Sequence, residues 1–284
     1  MHARTQAARA AAQRALVRLV LELGVRAHDL VVVGGLNPDL LAAAGTLPHQ
    51  GTTDIDMFVA LGAVWERDDD DFSWLEAALY RADFRPGGAG WRWVTEVDGI
   101  PVRLDLLTDV HDNVGQQIAL PGTKVLASQN LSGPGAARRD MLVRQLAVDP
   151  HDRPDPGTTM VEVRCIGLGG YVLAKAAAML GRAEAKDAYD LAFVLLNNAE
   201  GGPRPAGRAA AQALDRSAKS TQVATLRAAL RRFAADGSAA RNYALQRELD
   251  GDASGIDVLI QDAIAAARQC LAAFESALAD RDRA

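Results

Sequence analysis

The chain is poor in three things that would each have pointed to a particular class. It holds only two cysteines, Cys165 and Cys270, far apart in sequence, which excludes a disulfide framework and a zinc ribbon. Both are expected to be plain buried thiols. Aromatic residues make up 5% of the chain, too few for the core of a typical β-sandwich, while the abundance of alanine, leucine and arginine favours helices. No apolar run approaches the length of a membrane span, and the opening MHARTQAARAAAQRAL reads as an amphipathic helix, so no membrane partner is expected and the chain is assigned to the cytoplasm. The formal charge of −5 excludes nucleic-acid binding driven by bulk charge and leaves only a local basic patch. His2, His28, His49, His111 and His151 share no metal-ligand spacing, so they read as surface or hydrogen-bonded residues.

With 284 residues, 49% of them hydrophobic, the chain has enough apolar material for one large domain or two modest ones. The expected class is α+β (mixed α/β): a mixed sheet with flanking helices, then a helical bundle. A first helix over residues 5 to 23 carries Leu16, Leu19, Val20 and Leu23 on one face and stops at Gly24. LVVVGGL predicts a short buried strand over Leu30 to Val33 that turns sharply at Gly34-Gly35. After a loop rich in Ala, Pro and Gly, DIDMFVAL predicts a second strand from Asp54 to Leu61. The four-aspartate run Asp68 to Asp71 reads as a solvated helix entry, with Ser73 and Glu76 at capping-box spacing. WRWVTEV and IPVRLDLL flank Asp98-Gly99, the dipeptide of a type I′ turn, and predict a hairpin. The Pro- and Asp-rich stretch from Val148 to Thr159 suggests a boundary between a domain at 1–150 and a helical one at 160–284, preceded by one short strand in VEVRCI.

Side chains alternate along a strand, so Asp54 and Asp56 project from one face while Ile55, Met57 and Val59 turn to the other. Two adjacent carboxylates repel, and a divalent cation removes the repulsion; Mg2+ or Mn2+, hard ions that prefer oxygen, suits them. On the hairpin Asp105 stands among apolar residues, and a neighbouring position would make it a third metal ligand and the base for an attacking hydroxyl. Gly34 and Gly35, lacking Cβ atoms, let their backbone N–H groups approach a phosphate.

These stretches, VVVGGL, TTDIDMFVAL and VRLDLL, resemble the polymerase-beta-like nucleotidyltransferase superfamily. GLGGYVLAKAAAMLGRAEAKDAYDLAFVL, Gly167 to Leu195, is similar to the helical segment of AbiEii-type toxin nucleotidyltransferases. The resemblance spans roughly residues 30 to 196. It implies an NTP substrate held by Gly34, Gly35, Thr53 and Lys175, with Asp187 positioning the nucleotide or the lysine. It further implies transfer of an NMP to RNA, such as a tRNA end, or to protein, in a toxin-antitoxin or phage-defence setting with a cognate antitoxin. Where the family commonly has an arginine four residues before the first aspartate, this chain has Gln50, and Leu36 and Asn37 stand where a serine often follows the glycine. Arg227, Arg231 and Arg232 are the candidate contacts to an RNA acceptor. Modification of a small cationic molecule of the aminoglycoside type, or a non-catalytic interaction role on the same fold, are the alternatives.

Overall fold

A computed structural model describes residues 5–61, 70–182, 184–215, 219–235, 237–281 and 283. The class is α+β, and the chain divides into two compact units. The first comprises residues 1–37 and 51–166; the second, 38–50 and 167–284.

In the first unit, helix α1 (Gln6–Leu23) starts where the Thr5 hydroxyl accepts the Ala8 N–H and ends at Gly24, whose positive φ of 54° lets the chain leave the helix. Strand β1 (Leu30–Val32) leads to Gly34, and the short helix α2 (Asn37–Leu41) carries the chain out of this unit. It returns as β2 (Asp54–Val59), followed by α3 (Ser73–Arg81), β3 (Arg85–Pro86), β4 (Arg92–Val97) and β5 (Ile100–Thr108). Then come β6 (Gln117–Ala119), β7 (Ala127–Asn130), β8 (Met141–Ala147) and β9 (Met160–Ile166). The strands join in one mixed sheet in the order β3, β4, β5, β2, β1, β9, β8, with β7 taking over beside the end of β5 and β6 pairing with β7. β2 and β5 run parallel and β4 and β5 antiparallel, so β5 is flanked on both sides.

The expected hairpin is present: Asp98 and Gly99 both have positive φ, 53° and 77°, the signature of the two central residues of a type I′ turn. α1 packs across β2, β4, β5 and β9 and against α3. Its stripe of Leu16, Leu19, Val20 and Leu23 is buried, together with Ile55, Met57, Leu104, Leu106 and Trp93. Each such fully buried leucine removes apolar surface worth about 1.5–3 kcal/mol. Arg14 and Arg18 fasten the outer side of α1 to Asp152, and Arg14 also reaches Asp98 in the hairpin turn.

Several local expectations need correction. The capping box at Ser73 and Glu76 does not form. Instead Asp71 accepts the Ser73 N–H, and Glu76 is buried, accepting the N–H groups of Lys124 and Val125. Asp68 and Asp69 lie outside the described residues, as does His2. The boundary falls at Ile166 rather than near 150, because β9 pairs along its length with β8 and, at Cys165, with Val32 of β1, completing the sheet.

The second unit consists of α4 (Leu168–Gly181), α5 (Ala185–Asn197), α6 (Pro203–Gln212), α7 (Lys219–Ala235), α8 (Ser238–Leu249) and α9 (Ile256–Arg281). The stretch 38–50, expected to be a loop between the first two strands, belongs to this unit. Ala43 N–H donates to Asn197 O, Ala199 N–H to Leu41 O, and buried Arg247 donates to the carbonyls of Leu47 and Pro48. Cys270 and, in the first unit, Cys165 are buried as expected, and burial pushes both thiols up to about 12.

Two glycines set the helix spacing. A Cβ on Gly169 of α4 would stand 2.2 Å from Ala209 O, and one on Gly207 of α6 would stand 2.2 Å from Cys270 O of α9. The obstacles are backbone atoms, which cannot rotate away. Gly207→Ala is therefore expected to cost about 1–3 kcal/mol by forcing α6 from α9, lowering the melting midpoint by about 2–4 °C per kcal/mol. An unchanged midpoint in a thermal melt would show that the helices separate at no cost.

Candidate functional site

The sheet register assembles the predicted acidic residues. Because β2 and β5 are parallel and in register, Asp54 lies opposite Arg103 and Asp56 opposite Asp105. Across β5, Arg92 of β4 lies opposite Asp105. The register therefore places Arg92, Asp105 and Asp56 in one row across three strands, with Arg103 and Asp54 in the next row on the same face. Asp54 and Asp56 are half-buried, and Asp105 is buried at 7% exposure.

Asp105 does not stand alone among apolar neighbours, as its sequence context suggested. Arg92 grips it with two hydrogen bonds, Nε to Oδ1 at 2.9 Å and Nη2 to Oδ2 at 3.0 Å. The guanidinium also lies 4.3 Å from the centre of the Trp91 ring. Hydrogen bonding to Asp105 raises the pKa of Arg92 above its ordinary value. Arg103 donates Nη2 to Asp54 Oδ2 at 2.7 Å, while its Nε sits 3.6 Å from Asp105 Oδ2 and makes no hydrogen bond. Arg92 and Arg103 thus supply the positive charge beside the carboxylates. Their signal was present: Arg92 and Arg103 fall on the Asp face of their strands once the Asp98-Gly99 turn fixes the register.

The glycines lie beside the same row. Gly34 has φ of 103°, and a Cβ there would stand 1.9 Å from Asp56 Oδ2, so the carboxylate rests on the bare Cα. Only glycine meets both demands. A Cβ on Gly35 would stand 3.0 Å from the Thr52 hydroxyl, which itself accepts the Asp54 N–H at 2.9 Å and so fixes the entry to β2. The Thr53 hydroxyl lies 3.4 Å from Asp54 Oδ1. Among the described residues, nothing accepts the Gly34 or Gly35 N–H.

As a donor set, Asp54, Asp56 and Asp105 suit a hard divalent cation: carboxylate oxygens on adjacent strands, with glycine backbone against one of them. Among the described residues, no three His, Cys, Asp or Glu side chains already form a metal-holding group. The guanidiniums stand where that charge would go. Arg103 is the weaker hold, with one short bond and 38% side-chain exposure, against the bidentate, ring-stacked Arg92.

Lys175 and Asp187 lie in the second unit, where they form a buried network of their own. Lys175 Nζ donates to Asp187 Oδ1 at 3.1 Å and to Asp190 Oδ2 at 2.6 Å. Arg182 adds two bonds to Asp187, at 2.7 and 2.8 Å. Asp190 Oδ1 lies 2.9 Å from His49 Nε2; since a carboxylate only accepts, Nε2 carries the hydrogen, and Nδ1 is buried with no hydrogen-bond partner among the described residues. His49 comes from 141 residues away in sequence, and no local pattern announces it. Next to it the Tyr189 hydroxyl accepts the Gln50 N–H and donates to Asp250. The lysine is thus buried and doubly paired rather than displayed as a free point charge.

The candidate RNA-contacting arginines are also engaged. Arg227 is clamped by Glu275 through two 2.6 Å bonds, Arg232 is exposed and donates to Met179 O, and Arg231 is exposed and helps to lower the Glu275 pKa.

The buried network makes stability depend on pH at both ends. Burial acts to raise the Asp187 pKa, but the Arg182 hydrogen bonds and the Lys175 charge outweigh it and hold the group below its usual 3.8. Burial likewise acts to lower Lys175, but Asp190 and Asp187 outweigh it and hold the group above 10.5. The Asp187 contribution is therefore complete above about pH 4 and lost as pH falls through its depressed folded value; that of Lys175 is complete below 10.5 and lost as pH rises through its elevated one. Lys175→Met, which removes a positive partner from two buried carboxylates, is expected to cost about 3–5 kcal/mol. Asp187→Asn is expected to flatten the acid limb of the stability curve below about pH 4 in urea titrations; an acid limb identical to wild type would contradict the assignment.

No protein-family model, no curated protein and no solved structure matches this chain.

Proposed function

We propose that the chain is a metal-dependent nucleotidyltransferase that moves an NMP from an NTP to a hydroxyl on RNA, such as a tRNA end, or on protein, as the toxin of a toxin-antitoxin or phage-defence system with a cognate antitoxin. The observation that carries this reading is the row in which Asp56 and Asp105 stand in register on adjacent parallel strands, beside Asp54, with the Asp56 carboxylate on the bare Cα of Gly34.

In this reading Asp54, Asp56 and Asp105 hold Mg2+ or Mn2+, which supplies charge neutralisation to the triphosphate. Backbone N–H groups at Gly34 and Gly35 donate to phosphate oxygens, and Thr53 adds a hydroxyl. The acceptor oxygen forms a bond to the α-phosphorus, the bridging bond to the β-phosphate breaks, and pyrophosphate leaves with that electron pair. Asp105 takes the acceptor proton. Arg92 fixes the plane of that carboxylate by two bonds and leaves its other lone pairs open for the proton. Lys175 and Asp187 enter this reading by the sequence resemblance.

A second reading has an observation of its own. The Arg92–Asp105 and Arg103–Asp54 pairs already neutralise Asp105 and Asp54, as in a sheet whose ion pairs serve stability alone and whose role is non-catalytic. The readings separate on metal binding. Under the transferase reading, Mn2+ with NTP raises the melting temperature and Asp56→Ala abolishes that rise. Arg103→Gln, by freeing Asp54 and removing a nearby positive charge, tightens Mn2+ binding by roughly tenfold in calorimetric titration. No thermal shift in the wild-type protein, or an Mn2+ affinity indifferent to Arg103, would favour the ion-pair reading.

A further inference from the structure

The second unit has a feature that the transfer chemistry does not use. Beside the close crossing of α6 and α9 at Gly207 runs a surface groove of about 480 Å³. Alanines 272, 273 and 277 lie along it, Arg204 and Arg208 flank it from α6, and Arg268 from α9. Arg204 and Arg208 are one helical turn apart and so rise from the same face of α6.

Among the described residues these three arginines have no hydrogen-bond or ion-pair partner. Elsewhere in the chain Arg14, Arg81, Arg92, Arg103, Arg182 and Arg227 are each held by a carboxylate. In a chain of net charge −5, three unpaired guanidiniums around one groove form a local exception. The acidic residue of the groove, Asp280, lies 12 positions beyond Arg268 along α9, about 18 Å away at the helical rise. Among the described residues it pairs with none of the three arginines.

We infer that this groove binds the phosphate backbone of RNA. Arginine forks match phosphate oxygens in two-bond geometry, and a row of them one turn apart meets successive phosphates of a strand. The alanines offer no aromatic platform for stacking bases, so the contact reads backbone and not sequence. They also form no deep pocket for the aromatic or aliphatic anchor that a protein partner would insert, which weighs against an acidic peptide as occupant. The choice of RNA rests on the proposed transfer reaction, for which a strand with free ribose hydroxyls is an acceptor; the charge and shape of the groove do not depend on that reaction.

The test is fluorescence anisotropy of a labelled, mixed-sequence single-stranded RNA with the full chain, in EDTA and without NTP, over a salt series. Arg204→Gln/Arg208→Gln/Arg268→Gln is expected to weaken binding at least about tenfold and to reduce the log–log salt slope by about 2, for three lost phosphate contacts. The corresponding triple lysine variant keeps the charge and should keep a salt slope near wild type while losing the part of the affinity that the two-bond forks supply, and circular dichroism of the Gln variant separates loss of contact from loss of fold. Asp56→Ala should bind RNA like wild type, so failure of the transfer reading and failure of this one give different results. Equal RNA affinity in the triple Gln variant and wild type would overturn the inference, as would displacement of the RNA by a polyglutamate peptide at equal charge concentration.

Discussion

The first unit is organised around the repulsion between carboxylates that the sheet itself brings together. The parallel pairing of β2 with β5 fixes Asp56 beside Asp105, and strand alternation puts Asp54 on the same face. Such a row survives only if positive charge stands next to it. Arg103 and Arg92 provide it, delivered by β5 and by the antiparallel strand β4. The two differ in grip: Arg92 holds Asp105 by two bonds and stacks on Trp91, while Arg103 holds Asp54 by one. Arg103 brings its guanidinium to Asp54 from the hairpin strand.

Much of this was legible in the sequence because it depends on short-range rules. The two-residue period of DIDMFV assigned Asp54 and Asp56 to one face, and burial alternates accordingly over Asp54, Ile55, Asp56 and Met57. Asp98-Gly99 announced its turn because few other dipeptides accept positive φ at both positions. What escaped depends on long-range pairing. β6, β7 and β8 are short or edge strands with weak alternation: Met141 and Val143 of β8 are exposed although apolar. The excursion of residues 38–50 into the helical unit is held by backbone bonds to Asn197 and Ala199 and by Arg247, and none of these leaves a local trace. Arg92 and Arg103 were visible as residues, but their partners became clear only with the register.

The second unit solves a similar problem in a different way. Lys175, Arg182, Asp187 and Asp190 bring equal numbers of positive and negative groups to one buried point, and His49 satisfies the oxygen that remains. A lysine so deeply held is poorly placed to act as a freely mobile charge, and its contribution to folding is expected to be large. The surface of the same unit shows the opposite economy. Arg227 is tied to Glu275, whereas the guanidiniums of Arg204, Arg208 and Arg268 are left to solvent around a groove lined with alanine.

The central claim is that the Asp54, Asp56 and Asp105 row serves nucleotidyl transfer. It is tested most directly by incubating the protein with Mg2+ and NTP labelled on the α- or the γ-phosphate, in the presence of total RNA or protein extract. The α-label is expected to become attached to an acceptor and the γ-label to appear only in released pyrophosphate, both events requiring Asp56. Transfer of the γ-label to the acceptor, or no transfer of either label to RNA or protein, would contradict it.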